Sequence, residues 1–326
     1  MPAAPDLLPL SNSTSNKEAS AYRTIFSSPA AATDGLADLL VAYDFSPAAA
    51  TALEYAFELA RHFGSTIHLI NIETPEEHAR IMSADPRARE HLRQNIERAF
   101  SRIEQRLRAK GIPCNSMFRV GDVASVLEGI TLECKTDLLI LGAFGHGSLD
   151  RADLGSTATH ILRVARHPVL IIGPHAVRHP ALSPAMERFI CVTNSKGMNH
   201  EFLELCHKLA GGVRATIEFL CVVDPQHLAM VRQGHERQCE ILSRALRSKG
   251  IRSSWSLLYG PPEQVIAAHA NEANASLVVL ETNPDGSSPS LQAAVVETIR
   301  RAHCPVLTVP SVERGAQCDR HHSMQR

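Results

Sequence analysis

The chain has 326 residues, 44% hydrophobic and 21% charged, which gives room for two ordinary domains with ample core. Lys and Arg number 33 against 34 Asp and Glu, and no basic run marks a nucleic-acid or anionic-membrane surface, so neither is expected as a partner. The 8 cysteines are dispersed without C-x-x-C spacing, and there is no charged leader and no apolar stretch of membrane length, which together predict reduced thiols in a cytoplasmic protein.

In chain order, residues 1–35 are rich in Ala, Ser, Pro and Asn without periodicity and are expected to form a tail. DLLVAY (38–43) then reads as a strand ending at Asp44, TALEYAFELARHF (51–63) as a helix after the Ser46-Pro47 start, and TIHLINI (66–72) as a second strand. A long polar helix around 87–110 ends at Gly111, which suits the left-handed residue after a helix. There follow a strand at 113–120, a helix at 123–134, the apolar run DLLILGA (137–143), a helix at 156–166 and the strand PVLIIG (168–173). Continuous apolar strands alternating with helices indicate a parallel sheet covered on both faces, here of five strands.

The pattern then recurs. VAYDFSPAAATALEYAFELA (41–60) lies over CVTNSKGMNHEFLELCHKLA (191–210), KGIPCNSMFRVGD (110–122) over KGIRSSWSLLYGP (249–261), DLLILG (137–142) over SLVVLE (276–281) and HPVLIIGP (167–174) over CPVLTVP (304–310). The expected organisation is therefore a domain at 36–174, a linker at 175–186, a second domain at 187–311 and a tail at 312–326. The offset between the copies falls from 150 to 139, so the first copy carries extra residues after its second strand.

GAFGHGSLDRADLGST (142–157) gathers four glycines where the apolar run stops. In an open parallel sheet, ligands bind at the carboxyl ends of the strands. Gly-Ser-Thr at 155–157 opens the next helix, whose free N–H groups and dipole favour an anion. A glycine loop and a helix end can together hold a phosphate chain, with Asp44 at the same edge. His146, between two loop glycines, either bonds a phosphate or merely tolerates the backbone there. G-x-x-x-x-G-K-[ST] and G-x-G-x-x-G are absent, and Ser46, Ser148 and Ser156 have no evident base partner, so neither a P-loop ATPase nor a hydrolase triad is supported. The 17 histidines show no ligand spacing, and no metal is expected beyond a Mg2+ carried by a nucleotide.

G-x-x-G, nine residues, then G-S/T resembles the nucleotide-binding signature of the universal stress proteins, and YDFS (43–46) resembles that family's aspartate motif. The resemblance implies two tandem α/β domains of the nucleotide-binding α-hydrolase, or HUP-like, kind. Each would have a five-stranded sheet in the order 3-2-1-4-5, and the two would pair internally as a pseudo-dimer, often through the last strand. It implies ATP at the strand ends in a stress-response regulator, with Tyr43 and Asp44 near ribose and adenine, the backbone of Ile72 near adenine and Gly142 at the ribose. Gly145, His146, Gly155, Ser156 and Thr157 would surround the phosphates. The second copy departs from the signature: Asn194 replaces Asp44, Glu281 and Pro284 replace the first two glycines, and Gln292-Ala293 replaces Gly-Ser, so only Val222 keeps an adenine-side match. One nucleotide site is expected, in the first domain. A slow ATP hydrolase or phosphotransferase and a ligand-free interaction module are the alternatives, and a homodimer or a regulatory protein partner stays open.

Overall fold

The computed structural model describes residues 35–134, 136–145, 154–176, 188–193, 200–223, 228–282 and 289–310. Residues 1–34 of the first expected tail, the whole of the second expected tail (312–326), residue 311, most of the linker, His146, Asn194 and Pro284 lie outside the described residues.

The first half runs β1 (Asp38–Ala42), α1 (Pro47–Phe63), β2 (Thr66–Glu73), α2 (Pro75–Ser83), α3 (Pro86–Arg108), β3 (Cys114–Val120), α4 (Val123–Cys134), β4 (Leu138–Gly142), α5 (Ser156–Val164) and β5 (Val169–Ile172). The second runs β6 (Arg188–Thr193), α6 (His200–Val213), β7 (Thr216–Val223), α7 (Leu228–Ser248), β8 (Ser253–Tyr259), α8 (Pro262–Glu272), β9 (Leu277–Thr282), α9 (Pro289–Arg301) and β10 (Val306–Pro310).

Leu39, Leu40 and Val41 of β1, like Leu139 and Ile140 of β4, have no exposed surface, which is why these strands read as unbroken apolar runs. Alternate residues enter different layers: Leu39, Val41 and Ile140 join the core under α1 and α3, while Leu40 and Leu139 join the one under α4 and α5. Helix α1 starts at Pro47 because Ser46 caps it, its Oγ accepting from the Ala49 N–H at 3.1 Å, and it stops at Gly64, whose φ of 70° suits glycine.

The strand order is β3-β2-β1-β4-β5-β10-β9-β6-β7-β8, so each half has the order 3-2-1-4-5 within itself and the two halves make one ten-stranded sheet. All pairings are parallel except the central one, where β10 runs antiparallel to β5 with Leu307 opposite Leu170. The core layers continue across this junction: Leu170, Ile172, Leu307 and Val309 share one layer, Val169, Ile171 and Val306 the other. The junction is close-fitting. A Cβ on Gly212 of α6 would run into the Phe63 ring of α1, and one on Gly173 would run into the carbonyl of Ile299 in α9.

Forty residues (74–113) separate β2 from β3, against 29 (224–252) between β7 and β8. That excess of 11 is the fall in repeat offset from 150 to 139, and it is spent on α2, a helix the sequence reading, which begins its long helix near 87, does not include.

Candidate functional site

Strand order reverses between β1 and β4: from β1 the chain moves outward through β2 and β3 and then returns to β4 on the other side. At the carboxyl ends of these strands lies a cleft of about 1100 Å³. Tyr43, Asp44, Ile72, Gly142, Gly145, Gly155, Ser156 and Thr157 all line it. His146, the remaining expected residue, lies outside the described residues.

The glycines serve close approach. None of Gly142, Gly145 and Gly155 has a positive φ. A Cβ on Gly142 would sit 2.7 Å from the Ala48 Cβ, so this glycine lets the end of β4 abut the first turn of α1. A Cβ on Gly145 would sit 3.0 Å from Asp44 Oδ2, so the loop lies against the carboxylate. The Gly155 N–H donates to the Ala143 carbonyl at 2.9 Å, and the Ala143 N–H donates to the Ile172 carbonyl at 2.9 Å, which fixes the start of α5 to the loop and the loop to β5.

Helix α5 begins at Ser156 with Gly155 as its cap residue, and among the described residues no side chain caps its first N–H groups. There is no acidic residue in its first turn. Free N–H donors, the positive end of the dipole and the two hydroxyls of Ser156 and Thr157 are an arrangement that receives an anion.

Opposite them, the Ser46 N–H donates to Asp44 Oδ1 at 2.9 Å and Asn71 Nδ2 donates to the Tyr43 carbonyl at 2.9 Å, which hold the β1 end in place. Between Asp44 and Ser46 the chain turns through Phe45 at φ 64°, a left-handed conformation that costs a non-glycine residue about 1 kcal/mol or more. Its ring packs on Phe100 at 5.2 Å and on Tyr43 at 5.1 Å, contacts that offset the strain. Burial and then the neighbouring Asp44 charge push the Tyr43 phenol up, so it stays a neutral hydrogen-bonding group.

Several wall residues escaped the sequence reading: Phe45, Asn71, Thr74, Glu77, Arg80, Ile81 and Leu92. Most belong to α2 or its approach. Their available signal is Thr74-Pro75-Glu76-Glu77: Thr74 Oγ1 accepts from the Glu77 N–H at 3.2 Å while Glu77 Oε2 accepts from the Thr74 N–H at 3.0 Å, a capping box. Arg80 puts a guanidinium on the wall that makes no ion pair among the described residues.

The second half is built differently at the matching place. Glu281, counterpart of Gly142, is buried at 7% exposure, where glycine in the first half admits a close neighbour. Helices α5 and α9 both end five residues before the following strand begins, but α9 is already helical at Pro289 and has 13 residues to the 9 of α5. Gln292 and Ala293 thus lie inside a helix, not at its free end.

A doubly wound sheet with glycines, a helix start without a side-chain cap and a carboxylate meeting at its switch point defines an α/β protein of two fused halves with a cleft at the strand ends of the first. The chain matches the family described as the universal stress protein family over residues 37–173 and 186–310, and it belongs to that family. No curated protein matches it. Its fold is similar to a universal stress protein from Archaeoglobus fulgidus DSM 4304, at 16% identity and TM-score 0.65 over 85% of this chain and 97% of that one. It is also similar to a protein of unknown function from Pseudomonas aeruginosa PAO1, at 18% identity and TM-score 0.59 over 86% of this chain and 95% of that one.

Proposed function

We propose that the first half binds an adenine nucleotide, ATP, and that the chain acts as a stress-response regulator whose conformation or protein partner reads the bound state. One observation carries the reading: the Gly142–Gly145 loop, the open end of α5 and Asp44 meet in one cleft at the switch point. The cleft walls have an anion-receiving end at Ser156 and Thr157 and an apolar stretch at Ile70, Ile72 and Val123, which suits a molecule with a phosphate chain and a flat base. A Mg2+ would arrive on the phosphates, held mainly by them and by water. The units proposed to act are 36–174, which binds, and 187–311, which supports it across the β5–β10 junction, in a cytoplasmic protein.

Calorimetric titration of ATP, ADP, AMP and cyclic AMP into the full chain tests this, with phosphate release followed in parallel. ATP should bind below about 1 mM, roughly −4 kcal/mol, and Gly155→Glu should abolish the heat by placing a carboxylate at the helix start. Absence of binding by all four nucleotides would sink the proposal, and sustained turnover would make the protein an ATP hydrolase instead.

A further inference from the structure

The cleft does not end at its own walls. A second groove of about 760 Å³ opens from it, and the two share Glu73, Ile81, Leu92 and Ile96. The groove is formed by α2, α3 and the edge strand β3, and no residue of the glycine loop or of α5 lines it. It therefore adjoins the cleft away from the anion-receiving end.

Apolar exposure on the described surface concentrates here. Of 7 exposed large apolar side chains among the described residues, three line this groove: Met82 at 52%, Leu92 at 39% and Phe118 at 37%. Apolar residues scattered singly need no explanation, whereas a cluster around a concave surface is the mark of a binding site. Met82 is also a flexible, polarisable wall that adapts to the shape it meets.

The acids around the groove are matched within the protein. Glu73 Oε2 lies 3.0 Å from His78 Nδ1, Glu97 Oε1 accepts from Arg93 Nε at 3.0 Å, and Glu90 Oε1 accepts from Gln94 Nε2 at 2.6 Å. A basic ligand group would have to displace these partners to reach the acids, and the guanidinium of Arg89 on the same wall already lies against Met82, donating to its Sδ at 3.7 Å. A neutral apolar group would displace none of these partners.

Nor does a plain nucleotide need the space. The main cleft alone is at the upper end of the range of about 300–1000 Å³ that small-molecule pockets occupy. Both cavities depend on α2, which supplies Ile81 to each and Met82 to the groove.

We infer that the ligand of the first half is an adenine nucleotide carrying an apolar substituent on its base, with the phosphates at α5 and the substituent in the groove between α2, α3 and β3. This rests on the nucleotide reading of the cleft, with the phosphates at Ser156 and Thr157 and the base at Ile70, Ile72 and Val123, from which the shared wall of Ile81, Leu92 and Ile96 is the route into the groove.

The test compares ATP with N6-benzyl-ATP and 2-hexylthio-ATP, titrated into the full chain and into Met82→Glu and Phe118→Lys. Both altered side chains line the groove and not the cleft, and only variants whose melting curves match that of the wild type are compared. At least one substituted nucleotide should bind the wild type about tenfold more tightly than ATP, as burial of an apolar group predicts. That advantage should shrink to less than about twofold in the folded variants, with ATP affinity itself unchanged. If ATP binds and both substituted nucleotides bind no better, the inference fails and the nucleotide site stands. If no nucleotide binds, the site reading fails first and takes the inference with it.

Discussion

At the scale of single residues, His167 shows how burial becomes a pH dependence. It precedes Pro168 at the start of β5, and neither ring nitrogen has a hydrogen-bond partner among the described residues. Desolvation holds its pKa down, to about 4. The unfolded chain takes up this proton near the ordinary histidine value of about 6.5, and the folded chain takes it up only near 4. The contribution from His167 is therefore complete above about 6.5 and is lost progressively as the pH falls to about 4. Thermal melts of the wild type and of His167→Phe from pH 7.5 to 4 should show the wild type losing more stability over that interval, and parallel curves would refute the assignment. Phe45 makes a different point at the same scale. An aromatic at φ 64° has no sequence signature, because the conformation is imposed by Phe100, 55 positions away, and by the need to bring Asp44 under the glycine loop.

At the scale of elements, the start of α5 separates stability from binding. Ser156 is exposed and stands first in a helix with no acid in its first turn. A Glu there complements the dipole and should raise helix stability by about 0.3–1 kcal/mol, while repelling a phosphate at the same N–H groups. Ser156→Glu is thus expected to melt no lower than the wild type in a thermal scan and to lose ATP binding in titration. A variant that keeps ATP affinity would move the anion away from α5. The same elements show why part of the molecule was legible in the sequence. Parallel strands buried on both faces appear as unbroken apolar runs, and a repeat shows them twice, so β1, β4 and their counterparts β6 and β9 stand out. Gly142, Gly145 and Gly155 were legible because chain order puts them between such a strand and a helix. Helix α2 was not: none of its nine residues is buried, so it lacks the apolar periodicity that marks a packed helix and announces itself only through the Thr74–Glu77 capping box. The groove side of the cleft, with Arg80, Ile81 and Met82, stayed hidden with it.

At the scale of the whole molecule, the junction between the halves is wired into the site. Gly173 follows β5 directly, and a Cβ there would strike the carbonyl of Ile299, a backbone atom that cannot rotate aside. The preceding residue, Ile172, accepts from the Ala143 N–H, and the Ala143 carbonyl accepts from the Gly155 N–H, so two hydrogen bonds connect β5 to the start of α5. Gly212 is the natural comparison. It too is packed against the other half, but its neighbour is the Phe63 ring on α1, and among the described residues no hydrogen bond leads from it to the glycine loop. Overpacking at either position should cost about 1–3 kcal/mol, and each kcal/mol lowers Tm by about 2–4 °C in a chain of this order of size. Gly173→Ala and Gly212→Ala should therefore both melt earlier. If the second half holds the first in its binding geometry through β5, only Gly173→Ala should also weaken ATP binding, by about tenfold for the 1.4 kcal/mol that a displaced loop would lose. Equal ATP affinity in the two variants at a temperature where both are folded would show that the junction contributes stability alone. A loss confined to Gly173→Ala would make the degenerate half a structural part of the site in the other.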